Sequence, residues 1–254
     1  MTSRVGQLAS SLKPALHAEW TKLRTSPGTI GLLLAVVVAT IGVSVTAAAA
    51  TTCASRDCGQ DLTKLSLTGI QLGQAVVAIL AVLVIGNEYS TGMVRVTLTA
   101  LPRRTGVLAA KAVIVTGVVA AAAVLAVVGS LAAGRFILPA HEFVLRPAVG
   151  SVLYLVLVGL LSLGTATAVR NPAVAIGIVL GLVYVFPIVT QVVTDPGWQK
   201  HLQQIGPMSA GLAVQTTVDV DALPIGPWKG LGVLALWALA ALLAGGLFFE
   251  QRDA

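Results

Sequence analysis

The sequence of 254 residues has little charge, since only 10% of its residues are Asp, Glu, Lys or Arg. A soluble domain usually has about 25% charged residues, so a chain exposed to water over its whole surface is excluded. The remaining composition is apolar, with 56% hydrophobic residues and a mean hydropathy of +0.92. The composition therefore predicts a chain that resides largely in a membrane.

Six segments are continuously apolar for about 20 residues, which is long enough to cross a hydrocarbon core of ~30 Å as helices. They cover residues 29–50, 67–86, 107–133, 147–169, 172–194 and 230–249. A transmembrane β-barrel is excluded because its strands alternate apolar and polar residues. We expect an all-α membrane protein with six transmembrane helices in one transmembrane domain over residues 1–254. A cleaved signal peptide is the alternative for the first segment, but this segment starts late and is long for one.

Lys111 is the one charged residue inside these six segments. It lies about one turn from the start of the third segment, where a long lysine side chain can reach the membrane surface. The sequence therefore predicts that the amine of Lys111 snorkels to the interface.

The loops divide unequally in charge if both termini are on the same side, as six spans require. One side has ten cations, namely Arg4, Lys13, Lys22, Arg24, Arg95, Arg103, Arg104, Lys111, Arg170 and Arg252, against Glu19, Glu88, Glu250 and Asp253. The other side has six cations against six acids. The whole excess of +6 thus lies on one side, which the positive-inside rule makes cytoplasmic. Membrane orientation explains the basic composition, so no nucleic-acid partner is expected.

Cys53 and Cys58 follow the first span, on the side that the charge rule makes extracellular. An oxidising environment favours a disulfide between them, with two free thiols as the alternative. No cluster of His, Cys and carboxylates has the spacing of a metal site.

Residues 1–28 are too polar to cross a membrane, yet they follow a helical pattern. The apolar residues that share one face are Leu8, Leu12, Leu16, Trp20 and Leu23. This predicts an amphipathic helix in the cytoplasmic interface of the membrane lipids, with Pro14 as a possible break. A solvated basic leader is the alternative.

Two polar features lie elsewhere in the chain. Gln71 and Gln74 in the second span are three residues apart and so share one helical face, which we expect to point into the bundle or a pathway, for packing or for substrate contact. The extracellular segment 195–229 includes a moderately apolar stretch at 208–218 that is too short to cross. That stretch predicts a re-entrant helix in the outer leaflet.

Several chemistries are excluded by residue content. There is no GxxxxGK[ST] phosphate loop, so the chain is not expected to bind ATP by itself. Ser162 has no histidine within any apolar span to activate it. The chain is therefore not expected to be an enzyme or to hold a cofactor, and any energy must come from a partner.

Residues 87–106 form a polar loop between the second and third spans. After Gly86 we expect a polar elbow, then a short helix from Met93 with Val94, Leu98 and Leu101 on one face. Pro102 would end this helix. A loop resting on lipid is the alternative.

The stretch NEYSTGMVRVTLTALPRR at residues 87–104 resembles the cytoplasmic loop of permease subunits in bacterial type-2 ABC exporters, the ABC-2 type transporter permease family. Many members read E-Y-x-x-G-x-x-R-x-T-L-x-x-x-P-x-R there. The segment AEWTKLRT at residues 18–25 resembles the segment before their first span, and the turn at 169–171 resembles theirs. The layout of six spans extends the resemblance over nearly the whole chain.

This resemblance implies a permease that pairs with a second copy or a relative and docks two separately encoded ABC ATPase subunits. ATP and Mg²⁺ would bind to the ATPase. The residues implied to contact the ATPase are Glu88, Tyr89, Thr91, Met93, Arg95, Leu98, Arg103 and Arg104 in a coupling helix, and Glu19, Trp20, Lys22 and Arg24 before the first span.

The family's cargoes include drugs, antibiotics, peptides and lipids, and a mostly apolar path favours an amphiphilic one. The resemblance implies export from a bacterial cell membrane, with efflux and multidrug or antibiotic resistance as its consequences. The path would lie at the dimer interface between the first, second and fifth spans, where Gln71 and Gln74 could line it. The alternative is a non-transporting assembly or sensory subunit that docks a cytoplasmic partner.

Overall fold

The computed structural model describes residues 16–51, 61–93, 104–138 and 144–251. Their helices are α1 (residues 16–25), α2 (Pro27–Ala50), α3 (Leu62–Ser66), α4 (Ile70–Ser90), α5 (Arg104–Ile137), α6 (Leu145–Val169), α7 (Pro172–Leu180, continued by a π-helical turn Gly181–Val185 and by Phe186–Val192), α8 (Pro196–Ile205), α9 (Pro207–Leu212) and α10 (Pro227–Gln251). Two short 3₁₀ turns, Ala213–Gln215 and Val220–Ala222, lie between α9 and α10. These ranges contain no β-strand.

Within the described ranges, six helices are long and apolar enough to cross a membrane. They are Pro27–Ala50, Ile70–Tyr89, Gly106–Ile137, Leu145–Val169, Pro172–Val192 and Pro227–Phe249. Each overlaps one predicted segment, and the ends differ by at most four residues, as at 133 against 137 for the third. The expectation of an all-α membrane protein with six such helices is confirmed.

The spans alternate in direction, so their ends form two groups. We call one group the α1 end, which contains residues 16–29, 83–93, 104–111, 167–173 and 246–251. We call the other group the far end, which contains residues 48–51, 61–72, 134–138, 144–147 and 190–230.

Proline and capping residues set where several helices begin. Pro172 is the first residue of α7, and the side chain of Asn171 accepts a hydrogen bond from the Val174 N–H at 3.1 Å. Proline lacks an N–H and has a fixed φ, so the first helical position suits it. This is the tight turn predicted between the fourth and fifth spans. At the other end of a helix, Gly92 has a φ of +70° and terminates α4 in the left-handed region that glycine favours.

α6 is the centre of the bundle, since the largest share of its residues is buried among the six long helices. It packs mainly against α10, α4 and α5. Gly164 of α6 lies so close to α10 that a Cβ atom there would come within 2.5 Å of the Ala241 backbone. Small residues allow membrane helices to approach in this way. Ser162, also buried, donates to the Val158 carbonyl at 2.7 Å, so this face of α6 serves packing.

α2 crosses α4 at a second close contact. A Cβ atom on Gly69 would lie 1.8 Å from the Thr40 carbonyl oxygen. The Gly69 N–H donates to Ser44 Oγ at 3.1 Å. Thr40 and Ser44, the two buried hydroxyl-bearing residues of α2, thus face α4, while much of the remaining α2 surface is exposed.

Residues 207–215 enter the bundle from the far end. Ala210, Gly211 and Val214 are buried, and Gly211 lies against the ring of Tyr154 in α6. Tyr154 is nine residues inside its helix, so the short helix α9 reaches well into the bundle without crossing it. The helix is shorter than the predicted stretch at 208–218, since α9 ends at Leu212 and a 3₁₀ turn follows, and a re-entrant position in the outer leaflet stays a prediction.

α7 contains a π-helical turn directly before Pro187. The Phe186 N–H bonds to the Gly181 carbonyl, five residues back. Proline has no N–H to continue an α-helical ladder, and π turns absorb such irregularities. The irregularity at Pro187 thus takes the form of a wider turn in α7.

At the far end, Asp61 connects the start of α3 to residues 217 and 218. Its carboxylate accepts hydrogen bonds from the Lys64 N–H at 3.0 Å, the Thr217 hydroxyl at 2.7 Å and the Val218 N–H at 3.2 Å, and also from the Thr217 N–H. The first bond caps α3, and the others hold a segment 156 residues away in sequence. Asp61 therefore fixes residues 216–218 against the start of α3.

We expect Asp61→Asn to loosen residues 217 and 218 at neutral pH. Burial alone would raise the pKa of Asp61, but the hydrogen bonds from Thr217, Lys64 and Val218 outweigh it and lower the pKa. The stabilisation is therefore complete above the unfolded pKa of about 3.9 and is lost as the pH falls through the lower folded pKa. Amide hydrogen exchange of Thr217 and Val218 should accelerate roughly tenfold in the variant at pH 7.

Thr217→Val is the matched control, since it removes one hydroxyl donor and leaves the carboxylate and all three backbone donors. Its effect on exchange should be smaller than that of Asp61→Asn. Equal exchange in wild type and Asp61→Asn at neutral pH would show that Asp61 does not hold this segment.

Candidate functional site

Four charged side chains from three helices meet at the α1 end. Glu19 and Lys22 are three residues apart on α1, a spacing that places both on one helical face. Glu88 lies in the last turn of α4, and Lys111 lies two turns inside α5. Residues that are 66 and 92 positions apart in sequence are thus brought together.

The four side chains form a closed ring of alternating charge. Lys111 Nζ lies 2.7 Å from Glu19 Oε2 and 2.8 Å from Glu88 Oε1. Lys22 Nζ lies 2.8 Å from the same Glu88 oxygen and 3.1 Å from Glu19 Oε1. Each lysine therefore binds both carboxylates, and each carboxylate binds both lysines. We call these four residues the charge ring.

The charge ring is buried on one side and open on the other. The exposed fraction of the side chain is 1% for Lys111, 6% for Glu19, 8% for Glu88 and 35% for Lys22. Removing a charge from water is costly unless it is paired and hydrogen-bonded. Two lysines and two glutamates make a neutral group in which each buried charge has partners, so the ring can exist at this depth.

Lys22 is charged in this arrangement. Burial alone would lower its pKa, but the hydrogen bonds and charges of Glu88 and Glu19 outweigh burial and raise the pKa. The rim of the ring thus carries a fixed positive charge at neutral pH.

One sequence prediction is wrong at this point, since Lys111 does not snorkel to a membrane surface: its amine is held inside by Glu19 and Glu88. The polar elbow expected after Gly86 is shorter than predicted, because α4 continues in helical form through Ser90 and the chain turns at Thr91 and Gly92. The extra helical turn is what directs Glu88 toward Lys111.

A second contact at the α1 end lies beside the ring. The Arg170 guanidinium stands 5.9 Å from the centre of the Tyr89 ring, within range of a cation–π interaction. Arg170 also donates to the Phe248 carbonyl at 3.2 Å. These contacts connect the residue after Glu88 to the α6–α7 turn and to the last turn of α10.

A groove of about 300 Å³ opens beside the exposed edge of the charge ring. Lys22, Asn87, Thr91 and Met93 provide part of its lining, and it continues toward apolar residues of α4 such as Leu83. The groove therefore exposes both polar and apolar surface at the point where α1, α2 and α4 meet.

The residues predicted to contact a partner are distributed unevenly in this region. Trp20, Arg24, Thr91 and Met93 are exposed, Lys22 and Tyr89 are partly buried, and Glu19 and Glu88 are buried. Arg95, Leu98 and Arg103 lie outside the described residues. Arg104 begins α5, and its side chain lies outside the described part.

Three residues of the apolar face predicted for the first helix lie in α1, and their position in the membrane interface stays a prediction. Leu23 is buried and Leu16 is partly buried, but Trp20 is 51% exposed. Glu19 takes the inward position, because the charge ring draws it toward Lys111. Leu8 and Leu12 lie outside the described residues.

Gln71 and Gln74 do not point to the same environment. Gln74 is fully buried; it accepts a hydrogen bond from the Tyr154 hydroxyl, and its amide lies 3.5 Å from Met208 Sδ. Gln71 is exposed, and its backbone carbonyl accepts from the Tyr184 hydroxyl. Of the two amides, only that of Gln74 thus points into the bundle, and a pathway lined by Gln71 stays a prediction. Cys53 and Cys58 lie outside the described residues, and their disulfide stays a prediction.

Sequence reasoning missed Lys111 as a member of the site, although the signal was present. It is the one charge within an apolar segment, and Glu19 and Glu88 are two of only four acids on its side of the predicted topology. Within the described ranges, no three His, Cys, Asp or Glu residues lie together as metal ligands would.

Six long apolar helices, two of which are connected to α1 by the charge ring, indicate a multi-pass membrane protein. Residues 15–194, 180 of the 254 in the chain, match a family described as ABC-2 family transporter protein. The chain therefore belongs to the ABC-2 transporter family, as the resemblance of residues 87–104 indicated. Membership implies a permease subunit that associates with an ABC ATPase. The matched region contains the whole charge ring. A search of curated proteins finds no match.

Proposed function

We propose that this chain is the permease of an exporter that moves an amphiphilic substrate out of a bacterial cell. Two copies of a separate ABC ATPase would bind ATP and Mg²⁺ and drive it. The observation that carries the proposal is the α1 end, where the charge ring joins α1, α4 and α5 beneath exposed side chains. A partner that displaces this surface would move three helices together.

The docking surface would consist of exposed residues at the α1 end. Trp20, Arg24, Thr91 and Met93 combine an aromatic ring, a cation, a hydroxyl and an apolar side chain next to the groove. Aromatic residues and arginine often contribute most to binding energy at interfaces. Glu19 and Glu88 are buried beneath this surface and would hold α1 and α4 in position for the ATPase.

We place the α1 end in the cytoplasm and the far end outside the cell. The excess of cations in the sequence segments at the α1 end supports this orientation. It also puts the exposed docking residues on the side where an ATPase has access to ATP.

The substrate path would lie between two copies of the chain, which form a homodimer or pair with a relative. Gln71 supports this, since an exposed amide near the outer end of a membrane helix is costly in lipid and favours a polar neighbour. Gln74 would instead stabilise the packing of Tyr154. Amphiphilic drugs, antibiotics, peptides or lipids suit such a mostly apolar path, and their efflux would confer resistance.

We expect Trp20→Ala to weaken binding of the ABC ATPase encoded nearest to this gene. Loss of an exposed aromatic anchor should reduce co-purification about tenfold or more. The measurement is the amount of ATPase retained on the tagged permease in lipid nanodiscs, together with the ATP hydrolysis rate of the complex.

Trp198→Ala is the matched control, because Trp198 is 67% exposed but lies on α8 at the far end. It should leave ATPase binding unchanged. Equal retention in both variants would contradict the proposed docking surface. Binding of the ATPase without any effect on ATP hydrolysis or transport would favour the alternative, a non-transporting assembly or sensory subunit.

A further inference from the structure

Lys111 is the deepest member of the charge ring and the one that reaches α5. Its amine joins Glu19 of α1 and Glu88 of α4, at 2.7 and 2.8 Å. Among the ion pairs of the described residues, those of Lys111 are the ones that connect α5 to the docking surface. Lys22 sits at the rim and joins α1 to α4 alone.

The position of Lys111 gives α5 a mechanical role. α5 has 34 residues and therefore extends about 51 Å. Near its other end, Gly134 packs closely against the Ser66 side chain of α3. α3 is capped by Asp61, which holds Thr217 and Val218. A chain of packed and hydrogen-bonded residues thus runs from the charge ring to the far end.

We propose that Lys111 is a positioning residue for energy coupling. By binding Glu19 and Glu88 together, it makes α1, α4 and α5 move as one body when the ATPase displaces the α1 end. The displacement then reaches the far end through α5, not only through α4. This role rests on the proposed function as an ATPase-driven permease.

A charged ring suits this role better than an apolar contact does. Charged hydrogen bonds fix both distance and direction between helices, whereas apolar side chains can slide past one another. Replacing all three buried charges by neutral side chains of similar size should therefore preserve the fold but release α1 from α5.

The test uses the variant Lys111→Met/Glu19→Gln/Glu88→Gln, with spin labels at positions 21 and 128. Thr21 and Val128 are exposed on α1 and α5, and Cys53 and Cys58 are replaced by serine in all samples. In the permease alone, the distance distribution between the labels should be narrow with the ring intact and broader in the neutral variant. A neutral variant as narrow as the parent would overturn the proposal.

The second measurement uses the complex with the ATPase. The neutral variant keeps the exposed residues Trp20, Arg24, Thr91 and Met93, and its hydrolysis is measured at a saturating ATPase concentration so that weaker binding caused by the changes at Glu19 and Glu88 does not affect the comparison. In this variant the permease-dependent change in the ATP hydrolysis rate should be about 5- to 150-fold smaller than in the wild type, which is the factor that typical coupling free energies produce. Lys22→Gln is the control and should keep most of this coupling, because Lys111 still binds both carboxylates.

The outcomes distinguish a failure of the proposed permease function from a failure of the proposed coupling role of Lys111. A wild-type permease that neither binds the ATPase nor alters its hydrolysis contradicts the proposed function and, with it, the coupling role of Lys111. A wild type that couples normally, with a neutral variant that couples equally well, contradicts the coupling role alone.

Discussion

Lys111→Met should destabilise the protein more than any other single charge removal at the α1 end. The substitution leaves Glu19 and Glu88 buried with Lys22 as their common partner. Breaking a buried ion pair by removing one member typically costs about 3–5 kcal/mol, because the remaining charge is uncompensated. The measurement is the fraction of purified protein that stays monodisperse in size-exclusion chromatography after heating in detergent.

Two variants distinguish loss of pairing from loss of packing. Lys22→Met removes the more exposed lysine and should cost less than Lys111→Met, because Lys111 still pairs with both buried carboxylates. Lys111→Met combined with Glu19→Gln and Glu88→Gln removes all three buried charges and should recover most of the lost stability, since neutral replacements of buried pairs are often tolerated. Equal losses from Lys111→Met and Lys22→Met would mean that burial does not set the strength of the ring.

The fold could be predicted from the sequence because bilayer thickness constrains it strongly. A span requires about 20 apolar residues, and the six segments of this length each became one long helix. Local signals fixed several boundaries as well, such as Asn171 and Pro172 at the start of α7. Both the length of an apolar segment and the residues that begin a helix can be seen in neighbouring positions of the sequence.

The charge ring could not be predicted in the same way, because its contacts are not local. Lys111 alone on an apolar segment is equally consistent with a side chain that reaches the membrane surface. What decides its direction is the position of Glu19, 92 residues earlier, on a helix folded back beside α4 and α5. The sequence therefore shows which acidic residues are available to pair with Lys111, whereas the packing of the helices determines which of them do.

The two glutamines show the limit of helical periodicity. The side chains of residues three apart on a helix point in directions about 60° apart, so one can face a neighbour while the other sits at the edge of the interface. Gln74 is buried because Tyr154 and Met208 reach it from 80 and 134 residues away. Gln71 has no such cover and is exposed. The short helix predicted from Met93 to Pro102 falls almost wholly on residues 94–103, which lie outside the described residues, so it stays a prediction.

Gly164→Leu should prevent α6 and α10 from packing as they do. A Cβ atom at this position would lie 2.5 Å from both the Ala241 carbonyl carbon and the Leu242 nitrogen, and 2.8 Å from the Ala241 oxygen. These are backbone atoms of a helix and cannot rotate away, so the two helices must separate. Overpacking typically costs about 1–3 kcal/mol and more where the backbone must move. We expect little monodisperse protein after extraction from the membrane.

Gly177→Leu is the matched control, since a Cβ atom at Gly177 of α7 meets nothing within 4 Å. Both variants add the same side chain to a glycine in a membrane-spanning helix, so differences in hydrophobicity and helix propensity cancel. A defect in Gly164→Leu alone assigns the cost to the close crossing of α6 and α10, where a Cβ on Gly245 would also meet the Gly164 carbonyl at 2.6 Å. Similar yields of folded protein from both variants would show that the central crossing tolerates a wider separation than this packing implies.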